Sequence, residues 1–250
     1  MILIKPCAGK GALDPVETND PIDQLSDHQI ELYARHLVLP EIGVKGQIAL
    51  TQARIAIIGC GGLGANAALA LTQAGIGVLE LYDPDQVELS NLHRQPFTQD
   101  QIGLPKAEAL AQLCQARNYE TQIQPFVQDF SGSPAPLWLD CTDSDASRRL
   151  VEGLRTHETT LVFGSVIGMD AQISVFLPGA PGFSDLFPPL SESGPHQTCA
   201  EQGVLGPLAS LTAQIMAAEA LKLAQGKDSI LSHNLLLIDA RDWRQFQIAK

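Results

Sequence analysis

The residues best suited to chemistry fall in one stretch of the chain, between positions 59 and 143. It opens with Gly59-Cys60-Gly61-Gly62-Leu63-Gly64, a G-x-G-x-x-G spacing set between an apolar run and a helix-forming run. Glycine lets the backbone turn sharply and approach a nucleotide closely, and the N-terminus of the following helix offers unpaired N–H groups to phosphate. Gly59, Gly61, Gly62 and Gly64 are therefore candidate nucleotide contacts, the plain alternative being a tight strand-to-helix turn without a ligand. Asp83 lies 19 residues beyond Gly64, at the expected end of the next strand, where a carboxylate can accept hydrogen bonds from both ribose hydroxyls. To this point a nicotinamide-dependent dehydrogenase and an ATP-using enzyme fit equally well.

The next segment separates the two. Asp83, Asp85, Asn91 and Arg94 fall within the 13 residues from Asp83 to Gln95, and Lys106 opens the following expected helix. An arginine and a lysine converging on a triphosphate neutralise it and stabilise the charge that develops as pyrophosphate leaves, whereas the two phosphates of a dinucleotide need far less. The set favours ATP, with a solvated surface loop as the rival reading of either cation taken singly. Asp140-Cys141-Thr142-Asp143 then closes another expected strand, at the edge where open α/β sheets bind ligands. Asp143, at the strand–helix junction, is the better candidate for Mg²⁺, which takes one or two carboxylates together with phosphate oxygens and water. Asp140 reads as a structural acid, and either residue could simply cap the helix that contains Arg148.

The elements that must hold these groups can be read from periodicity. Ser26-Asp27-His28-Gln29 fits a capping box, followed by Ile30, Tyr33, Ala34 and Leu37 on one helical face and Glu31 and Arg35 on another. A strand at 55–58, the glycine turn, a helix to about Ala74 and a strand ending near Asp83 form a βαβ unit. It is followed by a helix over 106–117, strands near 122–126 and 137–140, and a helix from 145 to about 157. Further strands are expected in 161–166 and 171–177, a helix over 208–224, and two strands meeting near 240–242. The fold class is α/β, a doubly wound, mostly parallel, Rossmann-like sheet with antiparallel C-terminal strands. Residues 1–25 read as a flexible extension and 26–250 as one domain.

Composition excludes several other roles. A formal net charge of −12 in 250 residues disfavours a nucleic-acid or anionic-membrane surface, since either needs clustered Lys and Arg. No run approaches the roughly 20 apolar residues of a membrane span, and the Pro- and Gly-interrupted start does not suit a signal peptide; a cytoplasmic protein is expected. The five cysteines are scattered and never spaced C-x-x-C, so neither a disulfide framework nor a zinc cluster is indicated.

Leu89-Ser90-Asn91-Leu92-His93-Arg94-Gln95, then Pro105-Lys106, then Asp140-Cys141-Thr142-Asp143, in this order, resemble the ThiF/MoeB/HesA family of ubiquitin-activating-like enzymes, from about Leu25 to Phe246. The resemblance implies a homodimer that uses ATP and Mg²⁺ to adenylate the C-terminal Gly-Gly carboxylate of a ubiquitin-like sulfur-carrier protein of the ThiS/MoaD kind. It implies that Asp83 binds ribose, that Asn91 and Arg94 contact phosphates, that Lys106 holds them, and that Asp143 places Mg²⁺. Arg35 matches a family arginine that reaches the ATP of the other subunit. Cys199, in the Pro/Gly/Ser-rich stretch 178–206, matches a cysteine linked in some members to a covalent or sulfur-transfer step.

The chain departs from the pattern in three places. Gly182 and Asp185 stand where many members carry the first C-x-x-C of a structural zinc, and the sequence ends before the second pair, so a zinc-free variant is expected. The span from Arg94 to Lys106 is one residue shorter than in familiar relatives, and Ser144 replaces the usual Asn. Two rival readings are a relative that adenylates a carboxylate on a tRNA nucleoside and a nucleotide-binding scaffold without turnover. The acidity argues against the first, and the complete set of polar candidates against the second.

Overall fold

The computed structural model describes residues 21–188 and 203–250. A 3-10 turn over Pro21–Gln24 leads into buried Leu25, so regular structure starts slightly ahead of Ser26. The Ser26 hydroxyl and the Gln29 side chain form the expected reciprocal cap. The helix it opens is shorter than its periodicity suggests. Helix α1 (Asp27–Leu32) breaks at Tyr33, whose φ of −100° and ψ of 14° leave the helical range, and α2 (Ala34–Leu37) restarts beyond it. Of the four residues expected on the inner face only Tyr33 is buried, and Ala34 is exposed. Helix α3 (Gly43–Gln52), not expected from the sequence, precedes the first strand.

The sheet has eight strands in the order β3-β2-β1-β4-β5-β6-β7-β8. These are β1 (Arg54–Ile58), β2 (Val78–Tyr82), β3 (Gln122–Phe126), β4 (Leu137–Asp140), β5 (Thr160–Ile167), β6 (Asp170–Phe176), β7 (Asn234–Asp239) and β8 (Arg244–Ala249). The five from β3 to β5 are parallel, and β6, β7 and β8 continue antiparallel. β1, β2 and β4 are short, mostly apolar runs buried on both faces, as a parallel sheet covered by helices requires. Their alternation divides the core in two. Ile55 and Ile57 join an aliphatic cluster with Leu71, Leu110 and Met216. Ala56 and Ile58 join a smaller aromatic one with Tyr82, Phe130, Trp138 and Phe163.

The aliphatic side is covered by α4 (Gly64–Ala74), α5 (Lys106–Gln115) and the long α8 (Gly206–Ala224), which packs on α4, β4, β5 and β6. The aromatic side carries α6 (Asp145–Leu154), packed on α7 (Phe183–Leu186). Strand order turns outward in both directions from the β1–β4 pair, so the loops after β1 and β4 part there and leave a crevice. No helix among the described residues is long and apolar enough to cross a membrane.

Candidate functional site

A cavity of about 330 Å³ opens at that crevice, within the size range of small-molecule sites. Its walls come from the glycine turn after β1, from Asp83 and Asp85 after β2, from Arg94 and Lys106, and from the segment after β4 that holds Asp143. Eight of the sequence candidates thus converge: Gly59, Gly61, Gly62, Asp83, Asp85, Arg94, Lys106 and Asp143.

The glycines divide into two kinds. Gly59 has φ +90°, and a Cβ there would crowd the Cys141 backbone at 3.0 Å. A Cβ on Gly64 would run into the Gly59 carbonyl. These two are demanded by the protein's own turn. Gly61 and Gly62 are not: the nearest atoms to an added Cβ are Gln95 Nε2 at 3.8 Å and Arg94 Cγ at 3.5 Å, ordinary contacts. Both line the cavity beside the N-terminus of α4, and the protein itself leaves the space over them open.

Asp83 is buried and already shaped by two donors. Its Oδ2 accepts the Cys60 N–H at 2.7 Å, and its Oδ1 accepts the Asp85 N–H at 2.8 Å. Each oxygen keeps a lone pair for a further donor. Burial pushes its carboxyl above the ordinary carboxylate value, while Lys106 and the two N–H groups pull it back. Lys106, 9% exposed at the start of α5, donates to Asp85 Oδ2 at 2.8 Å. Its backbone N–H also bonds Asp85 O, next to a bridge between Gln86 and Pro105 and a pair of bonds joining Val87 to Gly103 and Leu104. The excursion carrying Arg94 is therefore pinned shut at its neck. Arg94 lies along Gly62, its guanidinium held by Ser90 O at 3.0 Å and His93 Nε2 at 2.8 Å.

The segment after β4 is gripped at Thr142. Buried Asp140 accepts both the Thr142 N–H and its hydroxyl, and Arg148 donates to the Thr142 carbonyl and to Ser165 Oγ. Asp143 follows, exposed on the cavity wall. Neither Asp140 nor Asp143 is the N-cap of α6; Ser144 is, its hydroxyl accepting the Ser147 N–H at 3.0 Å. Ser and Asn are both good N-caps, which explains why Ser144 can replace the usual Asn. Cys60 and Cys141 lie by the cavity but are buried, and burial holds both thiols well above their ordinary value, so neither is poised as a thiolate nucleophile.

Other candidates are not brought into the cavity. Asn91 is buried in the 3-10 turn Leu89–Asn91, its Oδ1 accepting the Glu88 N–H and its carbonyl accepting the Arg94 and Gln95 N–H groups. It shapes the turn that presents Arg94. Gly64 lies behind the wall, and Arg35 is exposed on α2. Cys199 lies outside the described residues. The cavity is also lined by residues without an assigned role, among them Gln95, whose buried Oε1 has no partner among the described residues, and Arg148. Gln95 stood inside the recognised motif. Arg148 carried the weaker signal of sharing an inward face with Val151 on an otherwise polar helix.

Against known proteins, a family model described as "ThiF family" matches residues 33–250. The adenylyltransferase and sulfurtransferase MOCS3 of Danio rerio is 35% identical over 93% of this chain and 52% of its own length. The SAMP-activating enzyme E1 of Haloferax volcanii is 34% identical over 86% of this chain and 83% of its own. The chain thus spans about half the length of the MOCS3 relatives it matches. Among solved structures, E. coli MccB with ATP superposes with a TM-score of 0.68 at 18% identity, covering 91% of this chain and 80% of that one, a likeness of fold.

Proposed function

The chain belongs to the ThiF family, and from that premise we propose that it adenylates the C-terminal Gly-Gly carboxylate of a small ubiquitin-like sulfur-carrier protein of the ThiS/MoaD kind. The observation that carries this reading is the ligand-sized space over Gly61 and Gly62, faced by Arg94, Lys106 and Asp143 within one cavity. In the reaction a carboxylate oxygen attacks the α-phosphorus of ATP, a C–O–P bond forms, and the bond to the β-phosphate breaks with pyrophosphate leaving. A carboxylate is already ionised at neutral pH, so no strong base is required. The task is to align anions that repel one another and to stabilise charge as the leaving group departs.

In this reading the turn at Gly61 and Gly62 and the start of α4 cradle the phosphates, and Asp83 accepts the ribose hydroxyls. Arg94 and Lys106 neutralise the triphosphate, Lys106 moving between Asp85 and phosphate. Asp143 suits Mg²⁺, because one exposed carboxylate completed by phosphate oxygens and water is that ion's usual donor set. When bound, the ion would offset phosphate charge. Zinc has no part: at the position of the first missing thiolate pair, Asp185 accepts the Gly182 N–H at 2.7 Å and serves as a cap of α7. The enzyme acts as a cytoplasmic homodimer, with Arg35 reaching the ATP of the other copy. The deciding experiment is exchange of labelled pyrophosphate into ATP with a panel of Gly-Gly-ended ubiquitin-like proteins. Exchange with one carrier and not with its tail-truncated form is expected; no exchange with any would sink the reading.

A further inference from the structure

Arg35 is exposed and makes no side-chain hydrogen bond or ion pair to any described residue, yet the residues beside it are held by buried amides. Tyr33, 2% exposed, packs its ring on Gly75, where φ is +85° and any Cβ would strike the ring. The Tyr33 hydroxyl accepts Asn118 Nδ2 at 2.8 Å, and the same amide donates to Thr72 O at 2.8 Å. His36 Nδ1 pairs with Gln47 Oε1 at 2.9 Å, and Gln47 Nε2 donates to Ala74 O at 3.0 Å. Gln47 is fully buried and Asn118 is 4% exposed. Both clamps close on Thr72, Ala74 and Gly75, the C-terminal end of α4.

The other end of α4 is the glycine turn of the cavity. Eleven helical residues separate the two ends, about 16 Å at ~1.5 Å per residue. Arg35 is thereby fixed to the far end of the helix that carries its own phosphate site, and it faces outward. Near it in sequence, Leu32, Val38 and Leu39 are exposed, at 43%, 73% and 44%. A long cation loses conformational entropy on every contact it makes, and a rigid base reduces that cost.

We propose that Gln47 and Asn118 are positioning residues that fix Arg35 as a preset cation for the nucleotide phosphates held by a second copy of this chain. The inference rests on the reading of Arg35 given above. It assigns to two buried amides, remote from the cavity, a share of nucleotide affinity in the neighbouring subunit.

The test is a double-mutant cycle on the full chain, read as calorimetric affinity for the nonhydrolysable analogue AMPCPP with Mg²⁺, so that no carrier is needed. Arg35→Ala weakens binding about tenfold, and Asn118→Ala or Gln47→Leu about threefold to tenfold. In the Arg35→Ala background the amide substitutions add nothing. An equal mixture of Arg35→Ala and Lys106→Ala chains binds more tightly than either alone. Unchanged binding by Arg35→Ala, or no gain on mixing, overturns the role of Arg35 itself. An Arg35 effect with amide losses of the same size in both backgrounds overturns the positioning role alone. Tyr33→Phe, which removes only the hydroxyl, repeats the cycle should Asn118→Ala fail to fold.

Discussion

The two halves of the sheet treat polar and apolar groups in opposite ways. From β3 to β5 the strands run parallel, all their C-terminal ends lie on one edge, and the loops that follow them converge. There Asp83, Lys106, Asp140 and Arg148 are each buried to 9% exposure or less and each bonded to a neighbour. From β6 to β8 successive strands end on opposite edges, so no common rim forms. All six residues of β8 are exposed, with Phe246 and Ile248 half in solvent and Trp243 beside them at φ +55°. Direction decides where chemistry can gather. An antiparallel extension can leave one face to water, whereas a parallel sheet cannot.

That contrast fails if substitutions in the antiparallel half prove as costly as those around the cavity, and the expected order is steep. Asp143→Ala should lower carrier-dependent pyrophosphate exchange by about 10²- to 10³-fold or more, while circular dichroism and the unfolding midpoint stay unchanged. Gly64→Ala and Gly61→Ala should part company. The first forces a methyl group onto the Gly59 carbonyl and should cost about 2–3 kcal/mol of stability by urea unfolding. The second meets only Gln95 Nε2 at an ordinary contact distance of 3.8 Å, so it should leave stability within about 0.5 kcal/mol while weakening ATP binding.

Asp83→Asn should raise the KM for ATP by about tenfold, the loss of one charge-assisted acceptor, and should also change the pH profile. Ionised Asp83 is the acceptor, and burial raises its carboxyl above the ordinary value. ATP affinity should therefore fall with decreasing pH sooner than an exposed carboxylate would allow, and the substitution should remove that fall. For stability the sign is reversed. A folded value above the unfolded one gives a contribution that is present below the unfolded value and lost as pH rises through the folded one. The smallest effect belongs to β8: Phe246→Ser should change stability by no more than about 0.5 kcal/mol and leave ATP affinity unaltered. A larger loss of affinity would tie the exposed edge to the cavity.

Much of this arrangement was legible because it is local. The glycine turn between strand and helix, the Ser26 cap and the strand pair around residues 240–242 are each written within a few neighbouring residues. What escaped depends on partners distant in sequence. Gly61 and Gly64 look alike in a motif, and only their surroundings separate a glycine the backbone needs from one that leaves room. Helical periodicity sets Arg148 on the inward face with Val151, but its partners there, Ser165 and the Thr142 carbonyl, are not legible in the helix itself. Helix α3 contains two glycines in ten residues and no marked apolar stripe, so its local preferences argue against the structure it adopts. Tyr33, where the helix breaks, is bonded to Asn118, 85 residues away.

The closed neck between Asp85–Val87 and Gly103–Lys106 bears on the length difference in the span from Arg94 to Lys106. A chain segment whose ends are tied can gain or lose a residue at almost no thermodynamic penalty, less than about 0.1 kcal/mol for a loop of this size by closure entropy. Lys106 and Asp83 keep their places whatever the contour length between them. Insertions and deletions there are free to reshape what the tip touches, leaving the Lys106–Asp85 pair at its base in place.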